Sequence, residues 1–446
     1  MIKVAVLGGG LSGLSLAFVL KKDLKQRGID AEIKVFEKEK ISGGTIGTKK
    51  MDGFIIEKGA NGFLDNKPYT VKLCEDLNIQ TIKSNEKAKK RYIYSKGKLH
   101  LLPEKQFLIL FRGLMSPLGR LKFMAEPLIK QNIEDETVAE FVTRRLGKET
   151  LTKLIGPLVC GIYAGNPWKM SIKSAFPKVK ALEENYGGLI KGMLAMKKKS
   201  GSPEGTLLSF NGGLSDLIQK LEENLGENIK RETEIKEIRK EGKDFVVSFK
   251  GGEYKSQLLF SCLPTYQLSK ATKRFDEKLS YLCKKIPYAP IHVVALGYKK
   301  DEVDFPFDGF GFLYALNSIR STIGILWDSS IFPRAPEGYA LIRLFIGGAM
   351  RENVKEMTKK QVIQEAISEV ERTMHIKTSP AFTDVTTCIN AIPQYNMEHK
   401  EIIDYIEKLQ NIHEGLYLGG NALKGVGIND CSRSAYELTQ EALDKI

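Results

Sequence analysis

Paired cysteines, paired histidines and long apolar runs are all missing from this chain of 446 residues. The six cysteines, Cys74, Cys160, Cys262, Cys283, Cys388 and Cys431, form no C-x-x-C pair. Their scatter argues against a zinc site or a disulfide framework and fits reduced thiols in a cytosolic protein. The five histidines form neither H-x-x-x-H nor H-E-x-x-H, so no metal centre is expected. No run of 18 apolar residues occurs, which leaves no expected membrane-spanning helix. An apolar strand pattern starts at residue 2, so no signal peptide is expected either. No evident triad, carboxylate pair or lone activated histidine stands out, and no catalytic acid or base is named.

Positive charge is in excess: 68 Lys and Arg against 54 Asp and Glu give a net +14. Such a balance suits acidic substrates or anionic lipid, or simply keeps a lysine-rich protein soluble. Nucleic acid is not expected as a partner, because no binding motif or aromatic-interleaved basic stripe occurs. Hydrophobic content of 42% and charge of 27% are globular values. The length predicts about two or three domains.

The strongest pattern opens the chain. Lys3-Val4-Ala5-Val6-Leu7 is a short, mostly apolar run. Gly8-Gly9-Gly10-Leu11-Ser12-Gly13 follows, then an apolar helical pattern, Leu14-Ser15-Leu16-Ala17-Phe18-Val19-Leu20. Gly8, Gly10 and Gly13 stand at the G-x-G-x-x-G spacing. The first such glycine makes the tight turn, the second admits a pyrophosphate, and the third lets helix and strand pack closely. The helix start then offers N–H groups and a positive dipole end to phosphates. A second strand, Ala31-Glu32-Ile33-Lys34-Val35-Phe36, ends at Glu37, where a ribose hydroxyl would be held. A bound dinucleotide is therefore expected, with an ordinary strand-helix turn as the plainer alternative. A second glycine pair, Gly43-Gly44, comes soon after the acid, and Gly53-Phe54-Ile55-Ile56 lies in the same stretch. More backbone against the cofactor suits a large flavin dinucleotide better than NAD, unless the stretch is only a glycine-rich hairpin.

Between Tyr69 and Leu194 the pattern is mainly helical. Val138-Ala139-Glu140-Phe141-Val142-Thr143-Arg144-Arg145-Leu146-Gly147 predicts an amphipathic helix with a glycine stop. Phe107-Leu108-Ile109-Leu110-Phe111-Arg112-Gly113-Leu114 and Leu118-Gly119-Arg120-Leu121-Lys122-Phe123-Met124 mix bulky apolar and basic residues. They fit either a core-facing helix or a membrane surface. Gly161-Ile162-Tyr163-Ala164-Gly165-Asn166-Pro167-Trp168 reads as a loop, and residues 197–205 as a solvated surface loop at a domain crossing. Beyond it come a helix over 215–225, strands around 229–238 and 245–249, and a buried strand at 258–264. Runs at 291–297, 311–316, 322–327 and 340–345 predict a separate sheet, followed by a helix over 359–372. The end repeats the opening design. A strand at 415–418 leads to Gly419-Gly420-Asn421-Ala422 and Gly425-Val426-Gly427-Ile428-Asn429-Asp430-Cys431, then a final helix. That suggests one site built from both termini, with the last helix start at a flavin's pyrimidine end.

Taken together, these segments resemble the porphyrinogen oxidases of late haem synthesis, the protoporphyrinogen and coproporphyrinogen oxidases. Those belong to the FAD-dependent amine oxidase and desaturase superfamily. The resemblance runs through the opening glycine turn, Glu57-Lys58-Gly59-Ala60-Asn61, Arg145-Leu146-Gly147 and Gly161-Ile162-Tyr163-Ala164-Gly165-Asn166. It continues through Ser171-Ile172-Lys173-Ser174-Ala175-Phe176-Pro177, Gly309-Phe310-Gly311-Phe312-Leu313, Ile392-Pro393-Gln394-Tyr395 and the closing glycine turn.

The implied fold class is α/β, with a discontinuous Rossmann-like FAD-binding domain at 1–80, 205–270 and 405–446. An α+β substrate-binding sheet domain at 271–404 and a helical lobe at 81–204, membrane-touching in some relatives, complete it. Implied FAD contacts are Gly8, Gly9, Gly10, Leu11, Ser12, Gly13, Glu37, Lys38, Gly44, Gly53, Phe54, Ile55, Ile56, Ile235, Val426, Gly427 and Ile428. Implied substrate contacts are Asn61, Gly161, Gly165, Phe310, Leu313, Leu326 and Phe345. Three residues depart from many relatives: Asn61 where some carry a basic residue, Thr45 after the glycine pair, and Ala60 after Gly59.

The implied activity is FAD-dependent oxidation of a porphyrinogen by O2, with hydrogen peroxide as product. A membrane surface, a homodimer and hand-off to ferrochelatase are the partners it suggests. The expected location is the cytoplasm, with a peripheral place on the inner face of the cell membrane as the variant. Another flavin amine oxidase or desaturase, and a non-catalytic FAD- or tetrapyrrole-binding protein, remain the alternatives.

Overall fold

The protein is described by a computed structural model covering residues 1–103, 113–199 and 205–446. Its first layer is a parallel sheet of five strands in the order Ile229–Lys230, Ala31–Phe36, Ile2–Leu7, Leu258–Ser261, Leu416–Leu418. The central strand is apolar on both sides because both faces are covered. Val4 and Val6 pack with helices Leu11–Gln26, Ser215–Leu225 and Ile428–Leu443 through Leu14, Ala17, Leu217, Leu221, Ala435 and Leu438. Ala5 and Leu7 alternate to the opposite face and meet Phe245 and Val247 of an antiparallel three-stranded sheet. Helices Glu277–Lys284 and His399–Ile412 join that second core through Leu279, Leu282, Ile402 and Ile406. The sequence boundaries assign these helices wholly or partly to the substrate-binding domain at 271–404, but their apolar faces pack on the dinucleotide-binding side.

A seven-stranded sheet forms the second layer. Its order is Phe382–Pro393, Tyr288–Lys299, Tyr339–Gly347, Thr322–Leu326, Gly311–Tyr314, Arg91–Ser95, Lys98–Leu101. One face carries Val294, Leu296, Phe312, Tyr314, Ile325 and Leu344 against Val362, Ala366 and Val370 of helix Lys359–Met374. The two edge strands at 91–101 correct the expectation of a helical lobe over 81–204. Tyr92, Ile93 and Tyr94 are strand formers, and Ser95-Lys96-Gly97-Lys98 makes a tight turn with both Lys96 and Gly97 at positive φ.

Helices Pro117–Met124, Val138–Leu146, Gly156–Tyr163, Pro177–Tyr186 and Leu189–Lys199 make the helical lobe. Its core includes Val138, Phe141, Val159, Tyr163 and Ile172. Thr137 and Glu140 close a capping box at the start of Val138–Leu146, and Gly147 ends it at φ 89°. Inside the lobe Arg145, wholly buried, pairs with Glu126 at 2.9 Å and Glu183 at 2.8 Å. Three expectations shift here. Gly161 sits in a helix rather than a loop. Lys197, Lys198 and Lys199 form the last turn of a helix, whereas residues 200–204 of that predicted loop lie outside the described residues. Most of the apolar-basic stretch at 107–114 also lies outside them. No helix among the described residues is long and apolar enough to cross a membrane.

Candidate active site

Every strand of the parallel sheet that leads to a candidate turn ends at the same edge. From that edge two helices begin, one after Gly10 and one after Gly427. Each leaves its first N–H groups without intrahelical partners, and each turns the positive end of its dipole towards the crevice. Gly8 takes φ 99°, and its N–H donates to Phe36 O at 2.9 Å. Gly9 N–H donates to Glu37 Oε2 at 2.8 Å, and Glu39 N–H donates to Oε1 of the same carboxylate at 2.8 Å. A Cβ on Gly13 would lie 1.9 Å from Gly8 O, the close helix-strand contact that the third glycine permits. A Cβ on Gly10 would meet nothing nearer than Gly44 Cα at 3.9 Å. Gly43 N–H donates to Gly9 O at 2.8 Å, so the second glycine pair covers the first turn.

The expected cofactor residues are therefore only partly brought together. Gly8, Gly9, Gly10, Leu11, Ser12, Gly13, Glu37 and Gly44 surround one turn. Ile235 begins a strand two residues after Thr233, whose N–H donates to Glu37 O at 2.7 Å. Val426, Gly427 and Ile428 sit at the second helix start, with Ile428 packed in the same core as Leu11. Lys38 is exposed beside Glu39. The exception is the stretch at 53–56. Gly53 lies at a hairpin tip against Pro336. Phe54 and Ile56 pack with Ala295, Leu341 and Phe382 of the seven-stranded sheet, Phe54 stacking on Phe382 at 4.6 Å. Ile55 pairs with Lys50 in the same hairpin. These side chains serve the junction between layers, and the glycine-rich turn there is the hairpin alternative.

The seven-stranded sheet has a second surface, turned away from helix Lys359–Met374. Leu313 lies opposite Gly324, and Gly324 opposite Phe345. Two residues along, Leu326 lies opposite both Gly311 and Arg343. Period-two alternation puts all of these on the face away from Lys359–Met374. Leu313, Leu326 and Phe345 are half-buried among fully buried neighbours. Gly161 approaches from its helix, where a Cβ would stand 3.0 Å from Leu313 Cδ1. Phe310 packs near Leu326, with the Arg91 guanidinium 5.0 Å above its ring. Gly165 falls elsewhere: its Cα is hemmed by Met170, Tyr163 and Gln394.

Asn61 is buried, and its Nδ2 donates to Asp328 Oδ1 at 3.5 Å while its Oδ1 has no partner. Asp328 pairs with the buried Arg343, whose Nη1 donates to Glu57 O at 2.6 Å and Gly59 O at 2.9 Å. The loop carrying Asn61 is thus clamped by a charge from the sheet. Burial pushes the Glu57 carboxyl up, against the opposing pull of Thr48, Leu214 N–H and the Arg343 and Arg334 charges. Arg343, Asp328 and Arg91 escaped the sequence reading. A charge inside the apolar run Tyr339–Gly347 was the available signal for the first.

The buried cysteines are held as thiols. Burial pushes Cys160 and Cys262 up to about 12 and Cys431 up to about 11, so their thiolates are scarce at neutral pH. No cluster of His, Cys, Asp or Glu suited to a metal occurs among the described residues.

Two helix starts at one sheet edge, the first behind a G-x-G-x-x-G turn with Glu37 at the end of the next strand, form the frame of a dinucleotide-binding site. The architecture is shared with solved structures. A provisional protoporphyrinogen oxidase from Exiguobacterium sp. 255-15 matches with a TM-score of 0.86 at 23% identity, covering 100% of this chain and 99% of that one. Cyclohexylamine oxidase from Brevibacterium oxydans IH-35A matches at 0.71 and 12%, over 100% and 99%. This chain belongs to the flavin containing amine oxidoreductase family, whose profile matches residues 11–443. The chloroplastic protoporphyrinogen oxidase of Nicotiana tabacum is 31% identical over 98% of this chain and 84% of its own. The coproporphyrinogen III oxidase of Bacillus subtilis (strain 168) is 28% identical over 99% and 97%. The protein is an FAD-dependent oxidoreductase. The residues fit that cofactor: Gly10 leaves room towards Gly44, and buried Ser42 Oγ beside Gly43 has no partner.

Proposed function

We propose that this protein oxidises a porphyrinogen, coproporphyrinogen III or protoporphyrinogen IX, to the porphyrin, with O2 as acceptor and hydrogen peroxide as product. The observation that carries the reading is the half-buried face of Leu313, Leu326 and Phe345, which share one side of the seven-stranded sheet. A flat apolar macrocycle suits such a wall. Relatives named for both substrates over nearly the whole chain support the same reading.

FAD would be held by Gly8, Gly9, Gly10, Leu11, Ser12, Gly13, Glu37, Gly44 and Ile235, and at the far end by Val426, Gly427 and Ile428. When bound it supplies the two-electron chemistry, three rounds of which take six electrons from the substrate. The protein's own side chains orient and dehydrate. Leu313, Leu326 and Phe345 press the macrocycle into place and exclude water, and Gly161 gives its rim room. Asn61 Oδ1 accepts from a pyrrole N–H of the substrate, which is the group that must lose a proton. Arg91, above Phe310 at the edge of this face, meets a propionate. The net charge of +14 favours the more acidic coproporphyrinogen.

A peripheral membrane contact is part of the proposal. Leu118, Leu121 and Met124 are exposed at 78%, 65% and 61% on one side of a helix that also carries Arg120 and Lys122.

Supplying both porphyrinogens in parallel under air, and following porphyrin fluorescence and peroxide, tests the activity. Preference for one substrate, with peroxide formed, is expected. Bound flavin with neither substrate oxidised would transfer the protein to the amine oxidases or desaturases, and porphyrin binding without turnover would make it a carrier.

A further inference from the structure

Between the last strand of the parallel sheet and its last helix runs the turn that faces the expected flavin. It contains Gly419, Gly420, Gly425 and Gly427, and its local bonds are few: Leu423 and Lys424 N–H donate to Gly420 O, Gly427 N–H to Asp430, and Arg433 to Lys424 O. The stretch from Asn421 to Gly425 is also bridged by a side chain from another part of the chain. The Tyr395 hydroxyl donates to Asn421 O at 2.6 Å and accepts from Gly425 N–H at 2.8 Å. Its ring stacks on the His399 imidazole with centroids 4.0 Å apart and planes 18° apart. His399 Nε2 lies 2.9 Å from Ala422 O and so donates to it. Two neighbouring side chains thus fix three backbone groups between residues 421 and 425.

The same tyrosine is tied to the helical lobe. Its carbonyl accepts from Ser171 N–H at 2.9 Å, and its ring lies 5.7 Å from that of Tyr163. Tyr163 in turn packs on Phe176 at 5.6 Å and donates to Ala175 O at 2.8 Å. Val426, next to the bridged Gly425, packs against the same lobe core.

We propose that Tyr395, backed by His399, is the positioning residue that sets the start of the last helix against the flavin. The proposal rests on the flavin crevice described above. Its physical content is that the helix N-terminus stabilises negative charge on the reduced ring only while its N–H groups stay in place. Removing the hydroxyl leaves Asn421 O and Gly425 N–H without their bridge, and the glycine-rich turn then samples other conformations. Tyr395 acts through that turn; it is not a catalytic residue.

The test compares Tyr395→Phe with Tyr163→Phe in the full chain. Both remove one buried phenol hydroxyl from the same aromatic stack, but only Tyr395 bridges the turn. FAD affinity from titration of the apoprotein, the visible flavin band, the reduction potential of bound flavin and Tm are measured for each. Tyr395→Phe is expected to weaken FAD about tenfold and make the potential more negative. Tyr163→Phe is expected to lower Tm alone. If Tyr395→Phe does not fold, His399→Leu is expected to give the same shifts more weakly. Flavin affinity and potential unchanged in Tyr395→Phe, or shifted equally in Tyr163→Phe, would overturn the proposal; in the fallback case, unchanged values in His399→Leu would do so. A wild-type protein that takes up no FAD would overturn the flavin reading itself.

Discussion

The Gly9 amide donates to the Glu37 carboxylate at 2.8 Å, joining the first glycine turn to the end of the neighbouring strand. The opposite oxygen of Glu37 accepts from Glu39 N–H. The acid therefore shapes the turn, and in the proposed binding mode it also offers lone pairs to a ribose. Glu37→Gln would point an amide NH2 at one of two backbone donors. Charged hydrogen bonds of this kind contribute about 1.5–3 kcal/mol. FAD affinity is expected to fall about 10- to 100-fold, read by titrating apoprotein with FAD.

The glycines of the first turn are expected to separate by role. Gly13→Ala would place a Cβ 1.9 Å from Gly8 O, so helix and strand must part and folded protein is lost. Gly10→Ala meets nothing within 3.8 Å in the protein itself, its nearest neighbour being Gly44 Cα at 3.9 Å. That variant is expected to keep its apoprotein Tm and lose FAD affinity, because the new methyl occupies the place of the pyrophosphate. Thermal melts with and without FAD distinguish the two.

Arg343 and Asp328 form a buried pair, and both are essentially without solvent contact. Arg343→Leu strands a buried carboxylate and frees Glu57 O and Gly59 O. A loss of about 3–5 kcal/mol is expected. Removing Asp328 as well, in Arg343→Leu with Asp328→Leu, is expected to recover part of it. Urea unfolding of the three proteins measures this.

His399 links pH to stability. Its burial lowers its pKa below the ordinary 6.5, only partly offset by the hydrogen bond to Ala422 O. A histidine kept neutral by the fold contributes stability that is complete above that value and lost as pH falls through the lowered one. Tm is expected to fall below about pH 6.5. His399→Leu, lower in Tm at neutral pH, is expected to show a weaker fall on acidification.

The two glycine turns were legible in the sequence because their chemistry is local. Spacing, flanking apolar runs and the acid at position 37 all lie within one strand-helix-strand unit. That Leu313, Leu326 and Phe345 share one face follows from strand register, which the sequence does not carry, and their proposed substrate role rests on resemblance. Three features stayed hidden for related reasons. The hairpin at 91–101 joins its sheet through strand Arg91–Ser95, which pairs with residues some 220 positions away, so its neighbours in sequence give no hint of that sheet. The resemblance puts Phe54 and Ile56 among the cofactor contacts, while their side chains pack with Phe382 and Leu341, a partnership no local pattern announces. Arg343 reads as an odd charge in a strand until Asp328 and the Glu57–Gly59 carbonyls appear beside it.

The most direct measurement mixes the yellow protein with coproporphyrinogen III, and separately with protoporphyrinogen IX, without oxygen. The flavin band near 450 nm is followed in a single turnover. Rapid bleaching by at least one of them, with recovery and peroxide when air is admitted, is the predicted result. A flavin band that neither porphyrinogen bleaches, in a protein that binds FAD normally, would contradict the proposed function.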